Sequence, residues 1–193
     1  MSARSSALAV LLLGSLTPVP ASLAQSSQES IGLFFDADCA TCSATILPGE
    51  QRTLEIRAVR GGATGHFDLA GGQFQVVGLP AGWTAECASN PTATFSFGDP
   101  FGDGASVLFP CAPGGCVELY NCTITATTAE TARLKVVVNP QPQGCPSGCA
   151  CIAYCAPLPT ATCAAGGEAI INGGACTVGV QPMQWTQVKR LFD

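Results

Sequence analysis

The sequence predicts a mostly β protein, an antiparallel β-sandwich with a disulfide-rich C-terminal extension, exported before it folds. Three observations carry that reading. Apolar and polar residues alternate at period two along residues 31–138, and Gly- and Pro-rich turns separate the runs. The composition has 22 Gly, 14 Pro and only 11% charged residues, which suits short strands and tight turns better than helices. Twelve cysteines lie behind a leader of the secretory kind, so the folded chain is expected in an oxidising compartment.

The leader spans residues 1–24. Arg4 precedes an apolar stretch from Ala7 to Leu16, and small residues at Ser22 and Ala24 suit cleavage before Gln25. That stretch is about half of the roughly 20 apolar residues a membrane-spanning helix needs, so no membrane span is expected. Loss of Arg4 with the leader makes the charge one unit more negative than the −5 of the full chain. With no Lys/Arg cluster, this argues against nucleic acid or anionic membrane as partner.

Residues 25–138 are assigned to the sandwich. Its strands are expected at 31–35, 53–59, 74–77, 83–87, 92–97, 106–109, 117–127 and 133–138. The clearest is Thr53–Val59, where Leu54, Ile56 and Ala58 share one face and Glu55 and Arg57 the other. Leu134, Val136 and Val138 alternate with Arg133 and Lys135 in the same way. Leu47-Pro48-Gly49-Glu50, Arg60-Gly61-Gly62, Leu79-Pro80-Ala81-Gly82 and Pro113-Gly114-Gly115 supply turns. Residues 139–144 read as a Pro-stiffened linker and 145–193 as the Cys-rich extension. Within the extension, Glu168–Val178 suggests a hairpin turned by Asn172-Gly173. Met183–Phe192 suggests a short helix with Trp185, Val188 and Phe192 on one face.

Cys39, Cys42, Cys87, Cys111, Cys116 and Cys122 precede the linker; Cys145, Cys149, Cys151, Cys155, Cys163 and Cys176 follow it. Both counts are even, so each half could close its own bridges, though connectivity cannot be read from sequence. Cys111 and Cys116 flank a Pro-Gly-Gly turn, which favours a local bridge. The extension is short and Gly/Ala-rich, so reduction is expected to disorder it before the sandwich. Cys39-Ala40-Thr41-Cys42 has C-x-x-C spacing, but it lacks the helix N-terminus a redox thiol needs. A single knuckle and a single histidine also argue against zinc.

Catalytic signals are sparse. His66, the only histidine, lies between Gly-rich turns, where an exposed loop residue is expected. The acidic pair Asp36/Asp38 could in principle serve a hydrolase, but turn duty is the commoner role. Asp99 and Asp103 form a weak calcium candidate within Asp99-Pro100-Phe101-Gly102-Asp103-Gly104, which lacks the carboxylate density of an EF-hand loop. No cofactor is called for. Asn121-Cys122-Thr123 formally fits a glycosylation sequon. Trp83, Phe101, Tyr120 and Trp185 could stack on sugars if they shared one exposed face, although Trp83 and Trp185 are expected in the core.

Leu47-Pro48-Gly49-Glu50 leading into an alternating strand, then Gly71-Gly72-Gln73-Phe74-Gln75-Val76, resembles the opening of cohesin-like secreted bacterial β-sandwich modules. The resemblance covers about Ile31–Val138. It implies a jelly-roll-type sandwich used for binding or scaffolding, and the Cys-rich extension departs from its pattern. The run from Cys176 to Pro182, then Trp185–Lys189, resembles the close of other secreted bacterial proteins. The expectation is a secreted, periplasmic or cell-surface non-catalytic module for an extracellular protein or polysaccharide, with the 60–72 and 98–104 loops as contacts. Self-assembly through edge strands is the alternative; a carboxylate hydrolase and a protease inhibitor rank below it.

Overall fold

The computed structural model describes residues 29–61, 68–142, 144–146, 148–155 and 160–176. The leader, His66 and the 183–192 helix assignment lie outside them. The described chain forms twelve strands: β1 Ser30–Phe34, β2 Ser43–Ala44, β3 Gln51–Val59, β4 Asp68–Val77, β5 Thr84–Ser89, β6 Phe95–Asp99, β7 Gly104–Pro113, β8 Cys116–Thr125, β9 Ala132–Val137, β10 Ala150–Tyr154, β11 Thr160–Gly166 and β12 Glu168–Ile171.

Two layers face each other. The first runs β1–β3–β8–β5, all antiparallel. In the second, β6 pairs with β7 and β7 with β4. The other edge of β4 is divided: Leu69–Gln73 pair with β10, and Gln75–Val77 with β9. β12 pairs with β9, and β2 lies parallel to β12. β11 bonds to both β10 and β1, which joins the layers along one side.

The alternation places the core where the sequence indicates. Leu54, Ile56 and Ala58 are buried, as are Leu134 and Val136, with Arg133 and Lys135 turned outward. Val138 lies past the end of β9 and is partly exposed. Phe74 of β4 meets Tyr120 of β8 edge-on across the layers, with ring centroids 5.9 Å apart. Trp83 is also buried, and its Nε1 donates to Thr128 Oγ1 at 2.9 Å. The Leu47–Glu50 turn forms as expected, with Gly49 at φ 86 and Glu50 N donating to Leu47 O at 2.9 Å.

The Gly-rich stretch behaves differently from a loop. Asp68–Gly72 lies inside β4, and a Cβ on Gly71 would come within 2.0 Å of Val107 O. Glycine is needed there so that β7 can approach.

The described residues after 144 pack into the sandwich, because β10, β11 and β12 extend the same layers. Asn139 is buried and holds the connection down, its Nδ2 donating to Ala105 O at 3.2 Å and its Oδ1 accepting from Gln141 N at 2.8 Å. The hairpin of the extension is β10–β11, with Ala150 opposite Ala164 and Tyr154 opposite Thr160. Glu168–Ile171 pairs with β9 instead of turning back at Asn172-Gly173. Asn172 alone takes positive φ there (54), whereas a type I′ turn needs it at both central residues. The Asn172 side chain docks on Ile46, accepting from its N–H at 2.8 Å and donating to its carbonyl at 2.9 Å.

All twelve cysteines are bridged: Cys39–Cys116, Cys42–Cys176, Cys87–Cys122, Cys111–Cys155, Cys145–Cys151 and Cys149–Cys163. The local Cys111–Cys116 bridge does not form. The Pro113-Gly114-Gly115 turn carries the chain from layer two to layer one, so the two residues diverge to different partners. Nor do the halves close separately, since Cys42–Cys176 and Cys111–Cys155 tie the extension to the body. Cys39 and Cys42 go to different partners, so the C-x-x-C spacing makes neither a redox pair nor a zinc knuckle.

Candidate binding face

The outer faces of the two layers differ in chemistry. On layer one, Arg57 pairs with Glu55 and Glu118, and Thr53, Thr84 and Glu86 share that side. On layer two the register aligns Phe95, Leu108, Gly71, Ala153 and Ala161 in one row across β6–β7–β4–β10–β11. A second row holds Phe97, Ser106, Gln73, Cys151 and Cys163. Neither row carries a charge.

Local sequence sets this face. Asn90 opens the crossing from β5 to β6, its Oδ1 accepting from Thr92 N at 2.8 Å and its Nδ2 donating to Glu118 O at 2.7 Å. Ser96 then turns inward, where its Oγ lies 3.0 Å from the hydroxyl of Tyr120. That hydroxyl also reaches Ser106 O at 3.4 Å. Burial raises the Tyr120 pKa, so the phenol stays protonated and hydrogen-bonded. With the Ser96 side chain on the inner side of the strand, alternation turns Phe95 and Phe97 out, and they are 50% and 59% exposed. Leu108, at 46%, flanks them.

Small residues beside these large ones leave a hollow of about 320 Å³ lined by Phe95, Leu108, Gln73, Ala153 and Ala161. Ser106 separates it from a second, of about 310 Å³, lined by Phe97, Asp99, Asp103, Asn139 and Gln141. A buried polar group adjoins the first: Glu29, Tyr154 and Thr162 interact, and burial with the Glu29 carboxylate nearby pushes the Tyr154 phenol well above its usual range.

The residues singled out in the sequence do other work. Asp99 Oδ1 accepts from Phe101 N at 2.9 Å, capping the β6–β7 turn. Asp103 sits in the same turn, and among the described residues no three His, Cys, Asp or Glu side chains gather as a cation site. Asp36 Oδ1 accepts from Ala40 N at 3.0 Å. Desolvation there works to raise its pKa, but bonds from Thr41, Ala40 and Asp38 outweigh it and the net shift is downward. A general acid would need the opposite shift. Asp38 is exposed. Trp83 and Tyr120 are core residues and Phe101 packs against the core, so they form no sugar-stacking surface. Cys122, inside the sequon, is buried and bridged. Of the expected contact loops, residues 62–67 lie outside the described set, and 98–104 is the β6–β7 turn.

Phe95 and Phe97 escaped the sequence reading. Their one signal is the Phe-Ser-Phe alternation, and the natural assumption that the phenylalanines face inward assigns it backwards.

The architecture is that of a disulfide-linked, mostly antiparallel β-sandwich. Among solved structures it is similar to the seventh ScaB type I cohesin from Pseudobacteroides cellulosolvens, at TM-score 0.49 and 9% identity, covering 81% of this chain and 98% of that one. It is also similar to the sixth cohesin of scaffoldin B from Acetivibrio cellulolyticus, solved in complex with a Cel5 dockerin variant (TM-score 0.47, 10% identity, 76% of this chain and 99% of that one). A third is a non-cellulosomal cohesin from the hyperthermophilic archaeon Archaeoglobus fulgidus (TM-score 0.44, 13% identity, 75% and 91%). No protein-family model matches the chain, and no curated protein matches it significantly.

Proposed function

We propose that the mature chain is a secreted, non-catalytic binding module that takes an extracellular protein on the outer face of β6–β7–β4–β10–β11. One observation carries this reading: two uncharged rows of the sheet face keep two phenylalanines and a leucine in solvent beside a hollow, while the opposite outer face is ionic. Exposed apolar clusters of this kind mark interaction surfaces. Aromatic anchors beside a pocket supply most of the binding energy where proteins meet. Export is supported by the use of every cysteine in a bridge, which requires an oxidising compartment.

The test is a pull-down from native extracellular material with the oxidised mature protein, followed by titration of the recovered partner. Ala161→Arg places a cation in the hollow at the margin away from β6. It is expected to abolish capture, while Leu47→Lys, at an exposed apolar site in another turn, leaves it intact. Equal binding by Ala161→Arg and the parent protein would refute the assignment of this face. Recovery of glycan alone would refute a protein partner.

A further inference from the structure

β6 differs from the other sheet edges among the described strands. β5, which pairs only with β8, carries Glu86 on its outer side and is cross-linked to its neighbour by Cys87–Cys122. β2 is two residues long. Charges, shortness and covalent ties are the usual means of keeping an edge from pairing. β6 is neither very short nor tied covalently, and its single charge, Asp99, sits at its end and caps its own turn: all five of its residues are exposed, it pairs only with β7 among the described strands, and Pro91–Gly98 carries no charge. Along an edge strand, backbone N–H and C=O groups point away from the sheet and await a partner.

We infer that β6 pairs antiparallel with β6 of a second copy of this chain about a two-fold axis at Ser96, making a weak homodimer whose layer-two sheets are continuous. The register follows from the side chains. Centring on Ser96 sets Phe95 of each copy opposite Phe97 of the other, giving two aromatic cross-strand pairs on the outer face. Asp99 then falls opposite Ala93, so no like charges meet, and Asp99 already caps its own turn. Ser96 and its Tyr120 contact remain on the inner side in both copies. A two-fold axis perpendicular to the sheet leaves both outer faces on one side, so the hollows near Ala161 stay open. Because pairing covers part of Phe95 and Phe97, self-association competes with a foreign protein for those rings while the Ala161 margin stays open.

The area limits the strength. Each phenylalanine is about half exposed, and an aromatic ring buries about 150–250 Å² when fully covered. The four rings thus contribute on the order of 400 Å² of interface. Even with Leu108 and the backbone this falls below the roughly 1,200–2,000 Å² of a standard interface. A dissociation constant on the order of 0.1–1 mM is expected, well above that of a permanent dimer.

Sedimentation velocity of the oxidised mature protein over a range from about 1 μM to 1 mM reads this directly. The weight-average mass should climb toward twice the monomer and stop there, and hydrogen exchange should slow in β6 only at the high concentration. Phe97→Lys should weaken association about tenfold or more, since it charges the edge, while Leu47→Lys, which removes a comparable exposed apolar side chain (57% exposed) elsewhere, leaves it unchanged. A monomer at every concentration would overturn the inference. So would open-ended aggregation, equal effects of the two variants, or protection confined to another strand.

Discussion

Replacing Cys42 and Cys176 together by alanine removes the bridge with the longest sequence separation, 134 residues. Taken alone, a loop of that length would restrict the unfolded chain by about 5 kcal/mol at 25 °C in the chain-entropy model. The other bridges shorten it. Cys39–Cys116 and Cys111–Cys155 offer a path from Cys42 to Cys176 of only about 30 residues, which lowers the figure to about 3.5 kcal/mol. For a chain of this size that corresponds to a drop in Tm of about 10 °C. Urea unfolding of the oxidised double variant beside the parent, followed by fluorescence and circular dichroism, gives both midpoint and slope. The slope should rise, because a less cross-linked unfolded state exposes more surface. The two probes should stay coincident, since β10, β11 and β12 are paired into the body and have no separate core to lose. That last expectation replaces the order suggested by the sequence, in which reduction loosens the extension first. A loss under about 1 kcal/mol, or a separate early transition in the variant, would refute the reasoning.

Asn172→Ala should cost about 2–3 kcal/mol, because it removes both bonds to Ile46 and puts a Cβ-bearing residue without side-chain compensation at positive φ; Asn172→Gly, which keeps the φ, should cost less, as denaturant midpoints will report. Phe74→Ala, at a fully buried ring packed on Tyr120, should cost about 3–5 kcal/mol by the same measurement. Asp36 has a folded pKa below its unfolded value, so its contribution is present above about pH 4 and disappears as pH falls through the lower folded value. The stability difference between parent and Asp36→Asn should therefore shrink on going from pH 7 to pH 2.5, and a difference that stays constant would remove the cap role.

The approximate positions of eight of the twelve described strands, the core faces of β3 and β9, the Leu47–Glu50 turn and the disulfide-rich character were legible in the chain itself, whereas β2, β10 and β11 were not. Side-chain direction alternates with each residue of a strand, and turn residues act through their own φ and ψ, so both signals are local. Tertiary structure decided the rest. Which cysteine meets which depends on where the Pro113–Gly115 turn carries the chain between layers, and nothing near Cys111 or Cys116 records that. The extension joins the sandwich because the divided edge of β4 leaves room for β10 beside Gly71 and β9 beyond it. The proposed binding face follows from one contact: the hydroxyl of Tyr120, reaching from the opposite layer, meets Ser96 on the inner side of β6, and a strand with period two then shows Phe95 and Phe97 to the solvent.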